Sequence, residues 1–128
     1  ERNKIFSERK RTGGPAIADP LKIIHPQVQP AEGEPVVGKH RVNAMFGTDL
    51  AMILGARNVD TLILLGFATS GVVLSTTRYA ADADYRLFIV EDCCADTDPA
   101  VHDFLCTKIF PRQAGVVQSD DVIRALAA

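Results

Sequence analysis

Five consecutive apolar or β-branched residues, Thr61 to Leu65, run straight into the small, flexible stretch Gly66-Phe67-Ala68-Thr69-Ser70-Gly71. This junction limits the possible folds more than any other part of the chain. The run is too short for a helix and suits a strand buried in a parallel sheet. From Val72 onward, the spacing of Val73, Thr76, Thr77, Ala80 and Ala81 predicts a helix with one apolar face, and Ser70 is the expected N-cap. A strand that turns abruptly into a helix aims several backbone N–H groups at one point, and the helix dipole adds its pull on negative charge. Such an elbow can hold an oxyanion.

The rest of the chain alternates in the same way. Glu34 to Val42 is a short strand candidate, followed by a loop over Asn43-Ala44-Met45-Phe46-Gly47. Thr48 can cap a helix whose Leu50, Ile53 and Leu54 share a stripe, with Gly55 and Asn58 as its stop. Arg86 to Val90 reads as a second buried strand that ends in an acidic turn, Glu91 to Asp96. Asp98 followed by Pro99 is a helix start, with Val101, Phe104, Leu105 and Ile109 as the buried face and Phe110-Pro111 as the end. Val116-Val117 is a last short strand, and Ser119 caps a final helix that points Val122, Ile123 and Leu126 inward. Strands alternating with helices predict an α/β fold with a parallel sheet and right-handed crossovers.

With 128 residues the chain has room for a single domain with its own core, read as an irregular segment over 1–35 and an α/β core over 36–128. Five of the seven prolines fall between Pro15 and Pro35, which is why that segment reads as connecting chain. In residues 1–14, Arg9, Lys10 and Arg11 read either as an anion-binding arm or, because glutamates interleave them, as a solvated loop. A net charge of −2 gives no electrostatic reason to expect nucleic acid. No stretch is apolar enough for a membrane span, so a cytoplasmic location is expected. Three cysteines, two of them adjacent at Cys93-Cys94, read as reduced thiols, and the scattered His25, His40 and His102 predict no metal site.

Two motifs carry a family resemblance. Gly66-Phe67-Ala68-Thr69-Ser70-Gly71-Val72-Val73 is similar to the nucleophile motif of the isochorismatase-like cysteine hydrolases, where Gly-x-Ala-Thr is followed by two residues, a Cys and a Val. That family includes nicotinamidases and N-carbamoyl amidohydrolases. Lys39, then Asn43-Ala44-Met45 and Gly47-Thr48-Asp49-Leu50, resembles its lysine motif, with Met45 at the usual phenylalanine. The resemblance runs from about Pro26 onward. It implies a three-layer, Rossmann-like α/β parallel sheet that is incomplete at the N-terminus. The family's opening strand with its aspartate, the following helix and a second strand have no counterpart here. The expectation is a fragment or truncated product whose sheet lacks the strands between the Lys39 strand and the one ending at Gly66.

The resemblance also implies a site. In the family a thiolate attacks a carbonyl or C–N centre, the aspartate takes the proton and the lysine stabilises charge. Lys39 stands at the catalytic lysine, and Val72 stands at the nucleophile. Valine has no lone pair and no acidic proton, so the thiol route is closed there. The family's oxyanion hole corresponds to the amides of Ala68 and Val72, with a cis peptide at Phe67–Ala68, and Asn43, Met45, Thr69 and Ser70 are the pocket residues. Read from the residues alone, Thr69 positions the turn and no base is evident beside it, Ser70 or Ser75. Cys93 and Cys94 end a strand and could approach the same sheet edge, Cys106 reads as core, and Lys39 reads also as a surface lysine at a strand end. A buried Lys39 without its partners would bind an anion, so a small carbonyl or carboxylate ligand is expected and no cofactor. The functional expectation is an isochorismatase-family hydrolase homologue (amide or carbamoyl C–N bonds, or the isochorismate vinyl ether) with its cysteine chemistry lost. The alternative is a non-catalytic binding or oligomer-forming subunit, and homo-oligomers are expected from the family.

Overall fold

The computed structural model describes residues 2–13 and 24–128. Of the connecting chain expected over residues 15–35, residues 15–23 lie outside them. The chain divides into two units, Glu1–Val36 and Val37–Ala128. In the first, the charged segment is a helix, α1 (Lys4–Thr12), where the sequence suggests a solvated loop or arm. Local signals alone account for it, since none of its residues is buried. The Asn3 side chain accepts from the Phe6 N–H at 3.2 Å, Gly13 takes the left-handed C′ position at φ 68°, and Arg9, Lys10 and Arg11 crowd the dipole's negative end. The interleaved charges that argued for a loop instead pair along the helix, as Glu8 does with Arg11 at 2.9 Å. A single 3₁₀ turn, Pro26–Val28, follows, with His25 Nδ1 accepting from the Gln27 N–H.

The second unit is built on three parallel strands, β1 (Thr61–Phe67), β2 (Arg86–Ala95) and β3 (Gly115–Val117), in the order β1-β2-β3. Ahead of them comes α2 (Leu50–Ala56), which Asn58 stops in the left-handed region at φ 52°. Between β1 and β2 lies α3 (Leu74–Asp82). Between β2 and β3 lie α4 (Pro99–Phe104), a wide turn over Leu105–Ile109 and a 3₁₀ turn over Phe110–Arg112. The chain ends in α5 (Ser119–Ala127). Alternation along β2 sends Leu87 and Ile89 to one face and Phe88 to the other. Leu87 packs with Met45 and Ala80, and Ile89 with Val73, Leu105, Cys106 and Phe110. On the opposite face Phe88, Ile63 and Val117 line a groove of about 280 Å³ with Val122, Ala125 and Leu126 of α5. Helices therefore flank both faces of a parallel sheet, as an α/β fold requires.

Several local expectations need correction. No strand forms over Glu34–Val42. Pro35 has no N–H for a ladder, and Val36 and Gly38 to Arg41 are exposed, so the segment has no apolar face to bury. Lys39 therefore sits on a loop. Strand β2 runs on through the expected acidic turn to Ala95, pairing Cys94 with Gly66 and Ala95 with Phe67 beyond an irregularity at Leu64/Gly66. Asp98 caps α4 as expected, its side chain accepting from the Ala100 N–H at 2.9 Å. Val101 and Phe104 are nevertheless exposed. Burial follows a neighbouring stripe of the same regular spacing, falling on Leu105, Cys106 and Phe110 with His102 and Ile109 half-buried. In α5 the cap is Gln118, in a reciprocal box with Asp121, while Ser119 bonds Asp92 through both its N–H and its hydroxyl. Ile123 and Leu126 are exposed. Among the described residues no helix is long and apolar enough to cross a membrane.

Candidate functional site

Strand β1 reaches the elbow through Gly66, whose φ of 131° only glycine adopts without strain. The next peptide bond but one, Phe67–Ala68, is cis. Ala68, extended, then caps a wide, π-type turn over Thr69–Val73 that continues as α3. Ser70 is thus inside the first turn and is not the cap. The amides of Gly71 and Val73 close back on the Ala68 carbonyl at 3.1 and 3.2 Å. The Ser70 amide donates instead to Asp96 Oδ2 at 2.6 Å. Asp96 follows β2 directly, and hydrogen bonds from Ser70 hold its carboxyl at about 2, helped by the Asp98 and Thr97 amides. A carboxylate of the protein's own is therefore already seated at the positive end of the turn.

Thr69 is completely buried, and its Oγ1 lies 2.9 Å from His102 Nδ1 of α4. The sequence gives no base beside the elbow hydroxyls; the structure puts His102 there. With no exposed surface, however, the Thr69 hydroxyl fixes the turn and is not presented to a substrate. His102 also lies against Cys106, with Sγ 3.8 Å from Nε2, and against Glu91. The signal in the sequence was the four-residue spacing of His102 and Cys106, which puts both on one helix face. Burial pushes the Cys106 thiol up to about 11, with the Glu91 charge adding to it. Burial also raises the Cys94 thiol. Neither is a ready thiolate at neutral pH. Cys93 is exposed on β2.

The loop after Lys39 docks on the elbow helix. Asn43 Nδ2 donates to the Ser75 carbonyl at 3.0 Å, and its Oδ1 accepts from the Met45 and Phe46 amides. The Ala44 N–H donates to the Thr76 hydroxyl at 3.1 Å. Asn43 is thus occupied in tethering the loop. Met45 is core, packed with Ala80 and Leu87, and not a pocket wall. Val72 is half-buried and lines a small apolar cavity of about 110 Å³ with Ala44, Leu64, Leu65, Val73 and Thr76. Lys39 is exposed, and its ammonium donates to the Arg41 carbonyl at 3.2 Å, so the buried lysine considered from sequence is not what forms. The structure brings Ala68, Thr69, Ser70 and Val72 together at one turn, and the Asn43–Met45 loop onto the helix beside them.

Comparison with known proteins agrees with this architecture. Residues 1–121 match the Isochorismatase domain family. The chain is similar to the maleamate amidohydrolase of Pseudomonas putida, at 32% identity over 108 residues, covering 84% of this chain and 51% of that protein. It superposes on an isochorismatase family protein from Burkholderia thailandensis with a TM-score of 0.78 at 33% identity, covering 81% of this chain and 55% of that one. The N-carbamoylsarcosine amidase of Thermoplasma acidophilum gives 0.72 at 31% identity, covering 88% and 65%. The chain spans about half the length of the curated relatives it matches. From the elbow, the parallel sheet and these similarities together, the chain belongs to the isochorismatase family.

Proposed function

We propose that this chain is an isochorismatase-family hydrolase relative in which the cysteine-dependent chemistry is lost, and which keeps at its elbow a site for a small carbonyl or carboxylate ligand. One observation carries the reading: the residue at the nucleophile position, Val72, is aliphatic and faces an apolar cavity. The two thiols nearest the core, Cys94 and Cys106, are held protonated. The relatives named for amide hydrolysis, a maleamate amidohydrolase and an N-carbamoylsarcosine amidase, supply the ligand class. In this reading the amides of Ala68 and Val72 offer the donors, and Lys39 approaches from its loop to neutralise the ligand's charge beside the ionised Asp96. Offering the chain maleamate, N-carbamoyl amino acids and isochorismate is expected to give no turnover above buffer. Titration with maleamate is expected to show saturable binding that weakens several-fold in Lys39→Ala. Turnover by the unmodified chain would sink the loss of chemistry, and binding unchanged by Lys39→Ala would sink the role of the lysine.

A second reading, the oligomer-forming subunit, draws on the free edge of β1. Among the described residues β1 pairs only with β2, and its outer residues Leu65 and Phe67 are 60% and 65% exposed. An unpaired edge with apolar side chains is a template for another strand. We take the occupant to be a second copy of the chain, its β1 running antiparallel to the first across a two-fold axis. Sedimentation velocity is expected to find a dimer that Leu65→Lys converts to monomer. A monomeric parent chain would exclude this reading and leave the first intact.

A further inference from the structure

We propose that Glu91, His102 and Cys106 form a binding site for a divalent transition-metal ion, zinc by ligand type. One ligand atom from each lies within 4.8 Å of the others. His102 and Cys106 project one helical turn apart from the same helical segment, and Glu91 reaches them from β2. Zinc–sulfur and zinc–nitrogen bonds of about 2.3 and 2.0–2.1 Å at a tetrahedral angle separate S and N by about 3.6 Å. The observed Cys106 Sγ to His102 Nε2 distance is 3.8 Å, close to that separation. A thiolate, an imidazole and a carboxylate suit zinc or cobalt and not the hard cations magnesium and calcium.

The surroundings support the ligands as a metal site requires. His102 Nδ1 is bonded to the buried Thr69 hydroxyl, which leaves Nε2 as the nitrogen to coordinate once Nδ1 carries the proton. Glu91 Oε2 accepts from Gln118 Nε2 at 2.8 Å, which orients the carboxylate and leaves Oε1 for the ion. Cys106 is buried, whereas His102 and Glu91 are only half-buried, so the cluster has a buried sulfur floor and an open side. The ion enters there and keeps its fourth position for water. Cys106 binds as the thiolate, and its proton passes to solvent. Because His102 holds Thr69, the ion would also stiffen the elbow turn.

The test is Co²⁺ titration of the chain carrying Cys93→Ser and Cys94→Ser, so that only one thiol can report. A thiolate-to-cobalt charge-transfer band is expected, saturating at about one ion per chain and displaced by Zn²⁺. Cys106→Ser is expected to abolish the band, and Glu91→Gln to weaken Co²⁺ binding by about tenfold or more. No band, or a band that survives Cys106→Ser, overturns the site. Should Cys106→Ser fail to fold, Glu91→Gln at its half-exposed position decides: unchanged affinity overturns the site, and the tenfold loss upholds it.

Discussion

Phe110→Ala is expected to destabilise the residue 37–128 unit by about 3–5 kcal/mol. Phe110 is 1% exposed and is the largest of the completely buried side chains. Its ring closes the cluster formed by Val73 at the start of the elbow helix, Ile89 of the central strand, and Leu105 and Cys106 of the wide turn. Its backbone is fixed as well, because its carbonyl accepts from the Gln113 and Ala114 amides. The site therefore cannot collapse to fill the vacated volume, and the cavity term adds to the lost transfer energy. Against a total of about 5–15 kcal/mol for an ordinary domain, such a loss leaves little. With an m value of about 1–2 kcal/mol/M, the urea midpoint is expected to fall by roughly 1.5 M or more. The control is Phe104→Ala, six residues earlier on the same helical segment but 56% exposed, expected to change stability by no more than about 0.5 kcal/mol. Equal losses in the two variants would mean that Phe104 is packed as tightly as Phe110.

That pair of phenylalanines also marks how far the chain can be read in advance. The sequence places the helix start at Asp98-Pro99 and counts a regular 3.6-residue stripe from it, which puts Phe104 inside. The stripe that is buried, His102, Leu105, Cys106, Ile109 and Phe110, has the same helical spacing one step round, and nothing in the residue types chooses between the two. The elbow was legible because its cues are local: a β-branched run, a glycine that must adopt positive φ, small residues, then a helical stripe whose Val73, Thr76, Thr77 and Ala80 are all buried. The short β3 and the cap at Asp98 were legible for the same reason. The strand expected over Glu34–Val42 does not form, since strand formation depends on a neighbour that residue pattern cannot supply. In α1, one misread cue was enough: charges of both signs look like a solvated loop until their three-residue spacing is counted. The bonds from Thr69 to His102 and from Ser70 to Asp96 join residues 33 and 26 positions apart, so no local rule could have found them.

Val72→Cys is the substitution expected to change the chemistry most, and its outcome depends on which of two opposed effects prevails. The turn over Thr69–Val73 opens α3, and a thiol in its first turns feels the positive end of the dipole, which favours the thiolate. The lining of the adjacent cavity, Ala44, Leu64, Leu65, Val73 and Thr76, is largely apolar and disfavours it. Asp96, ionised at the exposed end of the same turn, adds a further opposing charge. Lys39 is exposed and its ammonium donates to the Arg41 carbonyl, so solvent screens what help it gives. The turn's pull and the cavity's penalty oppose each other, so the reference for the new thiol is an ordinary exposed cysteine, at about 8.5. Cys106, pushed up to about 11 by burial, holds on the order of 10²-fold less thiolate at neutral pH than an ordinary cysteine. In a Cys93→Ser background, iodoacetamide at pH 7.5 is therefore expected to label Cys introduced at 72 on the order of 10²-fold faster than Cys106, as read by peptide mass spectrometry. Labelling no faster than at Cys106 would show that the cavity dominates and that the elbow no longer supports a thiolate. A rate well above that of free cysteine would show the reverse, an activating turn kept intact beneath an aliphatic side chain. In that case restoring sulfur alone would return the first step of thiol chemistry, and the loss at Val72 would be a single-residue event on a preserved scaffold.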